Sequence, residues 1–319
     1  MRASASEPAG GDQRVRAAGL DLGGTNIKWA VLESVDGASP TIVDHGARPT
    51  RADEGPDVVV SELAAQGRAV MARHGPIAAV GVGVPGLFDP AAGTIELFPN
   101  LPGPWRGVPL RERMSTALAL PVQLINDARA FTLAEGTMGA AAGCSSMVGL
   151  VLGTGVGGGL LLDGRVHLGH WGTAGEIGHQ TIDPDGPRCG CGSRGCVEVF
   201  AQAARLAELA GQATAADVVA AAGAGDERSL QAIAQVARAL GIALANVVTV
   251  FGPERIVIGG GVAAAGDMLL EPVRRAVRER VTLAPVDRIA IVAAQLGALA
   301  GAIGAALAGL AGQPAVRAR

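Results

Sequence analysis

The chain has 319 residues, 49% hydrophobic and 17% charged, with a formal net charge of −3. That is a globular composition with length for two cores, not a disordered segment. The near-neutral balance and the 3% aromatic content exclude a general attraction to nucleic acid or membrane and a stacking platform for single strands. No apolar run reaches the roughly 18–20 residues of a membrane span.

The opening MRASASEPAGGDQ is polar and lacks the apolar core of a signal peptide, so residues 1–14 read as a disordered tail. Strand and helix signals then alternate, the pattern of α/β layers. VRAAGLDLG (15–23) and IKWAVLE (27–33) read as two strands about a glycine turn. Residues 54–75 read as a helix and IAAVGVGV (77–84) as a buried strand. A helix over 107–120 precedes a short strand PVQLIN (121–126) and a helix over 128–139. SSMVGLVLG (145–153) and GGGLLLDG (157–164) form a second strand pair about a glycine turn. Beyond a cysteine cluster the chain is Ala-rich and helical to about residue 250. A strand at 255–260, a helix at 266–281, a strand at 288–294 and a final helix complete it.

The two strand pairs share a layout. Gly19, Leu20, Leu22 and Gly23 match Gly149, Leu150, Leu152 and Gly153, which suggests a duplicated α/β unit with a ligand between the halves. Glycine turns let backbone N–H groups approach a phosphate. GTGVGG (153–158) fits G-x-G-x-x-G, but so does GVGVPG (81–86), and an apolar strand follows the first match where a dinucleotide fingerprint opens a helix. A Rossmann reading is therefore rejected, and no P-loop motif is present. In DLGGTNIK, Asp21 precedes the turn, Thr25 offers a hydroxyl, and Lys28 is the only lysine of the chain.

His179, Cys189, Cys191 and Cys196 make H-x₉-C-x-C-x₄-C. Three thiolates and one imidazole fill a tetrahedral zinc shell and leave no open position for water, so the zinc is structural. Clustered cysteines, with only Cys144 elsewhere, indicate a reduced, cytoplasmic protein. Asn126 and Asp127 end a strand just before a helix, a place that suits either a helix cap or a ligand group.

Together, DLGGTNIK, INDARAF, LGTGVGGG and GEIGH…CGCGSRGCVE, in this order, resemble the ROK family of sugar kinases and related repressors. The resemblance implies the actin-like, ribonuclease-H-like ATPase fold, with two α/β domains and an interdomain cleft for sugar and ATP. A small domain would span 15–125, completed by a C-terminal helix at 298–312. A large domain would span 126–297 and carry the zinc loop 179–196. The resemblance makes Asp127 the catalytic base. It puts Gly86, Asn126, Glu176, His179 and Glu198 on the sugar, so that the zinc fixes the wall that reads the substrate. Asp21, Gly23, Gly24, Thr25 and Lys28 with Thr154 and Gly155 would serve the phosphates and their Mg²⁺. Gly260 and Gly261 would pass the adenosine.

The implied activity is ATP-dependent phosphorylation of a hexose, glucose first. N-acetylmannosamine and N-acetylglucosamine suit the same motifs, and polyphosphate is a possible donor. A sugar-sensing repressor would need a DNA-binding domain before the first glycine turn, where only about 18 residues stand. A bare sugar-binding module would not need Asp127 and two phosphate turns. Relatives are often dimers, and the Ala-rich helices of the second half offer a surface for a homodimer.

Overall fold

The computed structural model describes residues 14–35 and 38–312; the tail expected over 1–14 lies, apart from Arg14, outside them. Chain order begins with β1 (Arg14–Leu22), β2 (Asn26–Val35), β3 (Thr41–Pro49), α1 (Pro56–His74) and β4 (Ala79–Val84). A hairpin of β5 (Leu87–Asp89) and β6 (Thr94–Leu97) follows, then α2 (Leu110–Leu118), β7 (Val122–Asn126) and α3 (Asp127–Thr137). The second half opens with β8 (Ser146–Leu152), β9 (Val156–Leu162) and β10 (Arg165–Val166). Helices α4 (Val197–Ala201), α5 (Ala203–Ala210), α6 (Ala215–Gly223) and α7 (Glu227–Phe251) come next. The chain then runs through β11 (Arg255–Gly259), α8 (Asp267–Arg278), β12 (Ala290–Ala293) and α9 (Ala300–Ala311).

Two five-stranded sheets form, ordered β3-β2-β1-β4-β7 and β10-β9-β8-β11-β12. In each, the first three strands in sequence are antiparallel neighbours and the last two add in parallel. The topology is the same twice over, and the repeated glycine hairpins occupy the same place in both. One core packs the first sheet against α1 and α2, and a larger one packs the second sheet against α4 to α8. A third core lies between the halves. It joins Ala17 and Leu32 of the first sheet to Met147 and Val257 of the second through Phe131 of α3 and Ile303 of α9.

Those two helices are exchanged. α3 leaves the first sheet and packs on β8 and β9, while α9 leaves the second sheet and packs on β1 and β4. Glycine makes the exchange possible. A Cβ on Gly19 would lie 1.9 Å from the Ala302 carbonyl oxygen, one on Gly81 would lie 1.7 Å from that of Ala305, and one on Gly304 would lie 1.8 Å from that of Ala130. Backbone therefore rests on backbone along α9. Buried Glu135 at the far end of α3 accepts hydrogen bonds from the backbone N–H groups of Ala140, Gln295 and Leu296, tying α3 to the start of α9.

Several expectations change. Strand β3 was absent from the sequence reading because it is an edge strand without a buried residue, and Trp29 of β2 covers Gly46 at its centre. The short strands β5, β6 and β10 were absent too. The Ala-rich stretch is not continuous but breaks into α4–α7, with a capping box of Thr214 and Asp217 starting α6. Contrary to the expectation of no span-length apolar run, α7 is long and apolar enough to cross a membrane, with a mean hydropathy of 1.7 over its best window. It forms the centre of the larger core, and 61% of that window is buried.

Candidate active site and metal centre

Within each sheet, the parallel strands end along one edge. Asp21 is the penultimate residue of β1, Gly86 follows β4, and Asn126 and Asp127 stand at the end of β7. In the second sheet Thr154 and Gly155 follow β8, and Gly260 follows β11. Ligands of open α/β sheets bind at such carboxyl ends.

Asn126 is the N-cap of α3. Its Oδ1 accepts from the backbone N–H groups of Ala128 at 3.1 Å and Arg129 at 3.2 Å. Its Nδ2 donates to the Gly86 carbonyl at 3.1 Å, at a turn where Gly86 has φ of 76°. The helix cap and the ligand role, posed as alternatives by the sequence, are thus compatible: the cap uses the oxygen, and one amide hydrogen stays available.

Asp127 is the first residue of α3 and is reachable by solvent. Protein nevertheless surrounds its carboxyl on most sides. That burial, and then the negative charge of Asp21, pushes its pKa up to about 6; the Ala128 N–H at 2.8 Å acts against the rise, and Glu176 adds to it. Burial also raises the pKa of Asp21, while Lys28, its cross-strand partner, lowers it. The Asp21 carboxylate is accommodated by glycine: a Cβ on Gly301 would lie 2.6 Å from its Oδ2.

Arg129 was not singled out in the sequence. It is 5% exposed, and its Nη2 donates to Glu176 Oε1 at 3.2 Å and to the Ala174 carbonyl at 3.3 Å. A charged residue inside the apolar run INDARAF was the available clue, since a buried guanidinium requires a partner. Thr50 was missed with β3. Fully buried, it donates from Oγ1 to the Gly23 carbonyl at 2.6 Å, and its N–H donates to the Thr25 carbonyl at 3.0 Å, so it clamps the first glycine turn.

The second turn is held from the other side. Glu198 Oε2 accepts from the Val156 N–H at 3.1 Å and lies where a Cβ on Gly155 would meet it at 2.5 Å. Gly260 lies against the end of β8, where a Cβ would fall 2.2 Å from the Leu152 carbonyl oxygen. Gly24, Thr25 and Thr154 are exposed on the two turns, and Gly261 has open space around it.

The donor atoms of His179, Cys189, Cys191 and Cys196 all lie within 4.8 Å of one another. Cys189 Sγ is 3.7 Å from His179 Nδ1, and Cys191 Sγ is 3.7 Å from Cys196 Sγ. Zinc bonds of about 2.3 Å to sulfur and about 2.0 Å to nitrogen in a tetrahedron place donors about 3.6–3.8 Å apart, so the set fits. Burial pushes the Cys189 thiol up to about 12, and thiolates here need a cation among them. Gly195, with φ of 62°, turns the loop so tightly that a Cβ would fall 1.5 Å from the Asp183 carbonyl oxygen. Cys196 is the N-cap residue of α4, and Glu198 stands in the first turn of that helix. Glu198 Oε1 is 3.6 Å from Cys189 Sγ. One side chain thereby joins the metal knot to the second glycine turn.

The ROK family model matches residues 17–311. The chain is 36% identical to a glucokinase of Halalkalibacterium halodurans over 90% of its own length and 92% of the relative's. Among solved structures, the ROK hexokinase of Thermus thermophilus matches with a TM-score of 0.80 at 36% identity, over 93% of this chain and 99% of that one. A ROK family glucokinase from Streptomyces griseus, in complex with glucose and AMPPNP, matches with a TM-score of 0.78 at 30% identity, again over 93% and 99%.

Two outcomes are expected. Asp127 has a folded pKa of about 6 against an ordinary value of 3.8, so the folded state favours its protonated form. Its ionisation opposes folding increasingly from about pH 4 to about pH 6, and the penalty is constant above. Melting curves of Asp127→Asn should show a stability gain over the parent that grows across that window and then levels; a gain independent of pH would contradict the shift. Cys191→Ser should lose bound zinc, measured by elemental analysis, and raise the KM for sugar about tenfold or more while the KM for ATP changes less. An unchanged sugar KM in the zinc-free variant would remove the orienting role.

Proposed function

The chain belongs to the ROK family, and from that membership we propose that it transfers the γ-phosphoryl group of ATP to D-glucose, giving glucose 6-phosphate, with Asp127 as general base. The observation that carries the reading is Asp127 itself, a solvent-reachable carboxylate at the head of α3 whose pKa is raised to about 6. Similarity to a glucokinase over nine-tenths of both chains supports the sugar, and similarity to a protein crystallised with glucose and AMPPNP supports sugar and donor together.

A sugar hydroxyl attacks only as its proton leaves. Asp127 accepts that proton while the hydroxyl oxygen bonds to the γ-phosphorus and the bond to the ADP oxygen breaks. With a pKa of about 6, the carboxylate is ionised near pH 7 yet more basic than an ordinary aspartate. Asn126 turns its remaining amide hydrogen to a neighbouring hydroxyl. Glu176, His179 and Glu198 hold the others, with Arg129 fixing Glu176 and the zinc knot fixing His179. Gly86 fixes Asn126. The turns around Gly23 and Gly155, with Gly24, Thr25 and Thr154 exposed on them, offer donors to the phosphates, and Gly260 and Gly261 leave room for the nucleoside. Mg²⁺, when bound, would neutralise phosphate charge, and Asp21 and Lys28 are the charged groups beside the first turn that would serve it and the phosphates. We also take the enzyme to be a cytoplasmic homodimer without a nucleic-acid or membrane partner.

The test is ADP release from ATP and Mg²⁺ on adding D-glucose, N-acetylglucosamine or N-acetylmannosamine, with Asp127→Asn alongside. Glucose should give the highest kcat/KM, and the variant should lose about 10²–10⁴-fold in kcat with little change in glucose affinity. Turnover with an amino sugar and not with glucose would reassign the substrate; near-normal turnover in the variant would discard Asp127 as the base.

A further inference from the structure

Thr50 takes no part in the sugar or nucleotide contacts proposed above, yet the first glycine turn hangs on it. It stands immediately after β3, is fully buried, and uses both of its donors on that turn. Its Oγ1 donates to the Gly23 carbonyl at 2.6 Å and its N–H to the Thr25 carbonyl at 3.0 Å. We propose that Thr50 is a positioning residue for the phosphoryl donor: it aims backbone N–H groups of the turn at the phosphates and so sets nucleotide affinity. The inference rests on the reading of that turn as a phosphate site.

Peptide geometry supplies the link. A trans peptide is planar, and its C=O and N–H point opposite ways. The Gly23 carbonyl shares its plane with the Gly24 N–H, and the Thr25 carbonyl shares its plane with the Asn26 N–H. Holding both carbonyls on buried Thr50 therefore turns both N–H groups away from it. For Gly24 that direction is outward. The residue is exposed, and no backbone group among the described residues accepts from its N–H. Such a free, oriented N–H is a donor for an anion. Asn100 confines the turn as well: a Cβ on Gly24 would lie 2.8 Å from its carbonyl oxygen. The segment carrying Thr50 is itself held against strain. Arg51, next in the chain, is left-handed, with φ of 57° and ψ of 43°, a conformation a non-glycine residue keeps only where its surroundings impose it. Its guanidinium provides the hold: Nε and Nη2 each donate to the Glu54 carboxylate at 2.6 Å, and Nη1 donates to Glu62 of α1 at 3.0 Å.

Two substitutions separate the hydroxyl from the methyl group. Thr50→Val keeps the shape and removes the hydroxyl; Thr50→Ser keeps the hydroxyl and removes the methyl. With Mg²⁺ present, Thr50→Val should weaken AMPPNP binding, read by calorimetry on the full chain, about fivefold or more, the scale of one lost hydrogen bond. The KM for ATP should rise alike, while glucose affinity holds within about twofold. Thr50→Ser should bind AMPPNP nearly as the parent does. A packing role would reverse that ranking, because valine fills the space of threonine and serine does not, and the reversed ranking would overturn the proposal. Equal AMPPNP affinity in the parent and Thr50→Val would overturn it too. If Thr50→Val does not fold, Thr50→Ala replaces it, since alanine and serine differ only in the hydroxyl, and equal affinity in those two variants would count against Thr50 in the same way. A parent that binds no AMPPNP would remove the phosphate reading of the turn and this inference with it. A parent that binds AMPPNP but phosphorylates no sugar leaves the calorimetric comparison to decide the role of Thr50.

Discussion

The backbone of α9 lies directly on the backbone of β1, β4 and α3, and the cleft is built on that contact. Gly19, Gly81 and Gly304 each stand where a single methyl group would strike a carbonyl oxygen. Interiors packed this closely do not stretch to admit a side chain. α9 belongs in sequence to the second sheet and in space to the first, and α3 does the reverse. The two halves are joined through these exchanged helices. The third core, with Ile303 and Phe131 between residues of both sheets, is the apolar part of the same joint.

The first sheet and the joint together set the electrostatics. The pairing of β1, β4 and β7 in the first sheet brings Asp21 close enough to raise the pKa of Asp127, and α9 places Gly301 where only hydrogen leaves room for the Asp21 carboxylate. Two crowded, interacting carboxylates are unfavourable for folding, and the surrounding structure over-determines them. Lys28 and Arg129 moderate the arrangement from either side, the first acting on Asp21 and the second on Asp127 and Glu176. The metal knot acts at a distance from this pair. Through Glu198 it reaches the second glycine turn as well as the wall carrying His179, so the two functions assigned to separate loops share one side chain.

Much of this was legible in the sequence for physical reasons. Strands buried on both faces, such as β4 and β8, read as apolar runs, and turns that need glycine showed it. Spacing at His179, Cys189, Cys191 and Cys196 announced a donor set because no other chemistry gathers those residue types so closely. The matched hairpins at Gly19 and Gly149 foretold the repeated sheet topology. What stayed hidden depends on distant partners. β3 buries none of its residues, so no hydrophobic period marked it. Gly19 and Gly81 read as strand glycines, and nothing local showed that a helix from the end of the chain would lie on them. Arg129 looked like one more arginine until Glu176, 47 positions away, appeared beside it.

The central claim is that burial at the head of α3, reinforced by the charge of Asp21, tunes Asp127 into a base. The most direct measurement is a carbon NMR titration of the labelled Asp127 carboxyl in the parent protein and in Asp21→Asn. A midpoint near 6 that falls when the neighbouring charge is removed is the predicted result. A midpoint near the ordinary 3.8, unchanged by the substitution, would contradict it.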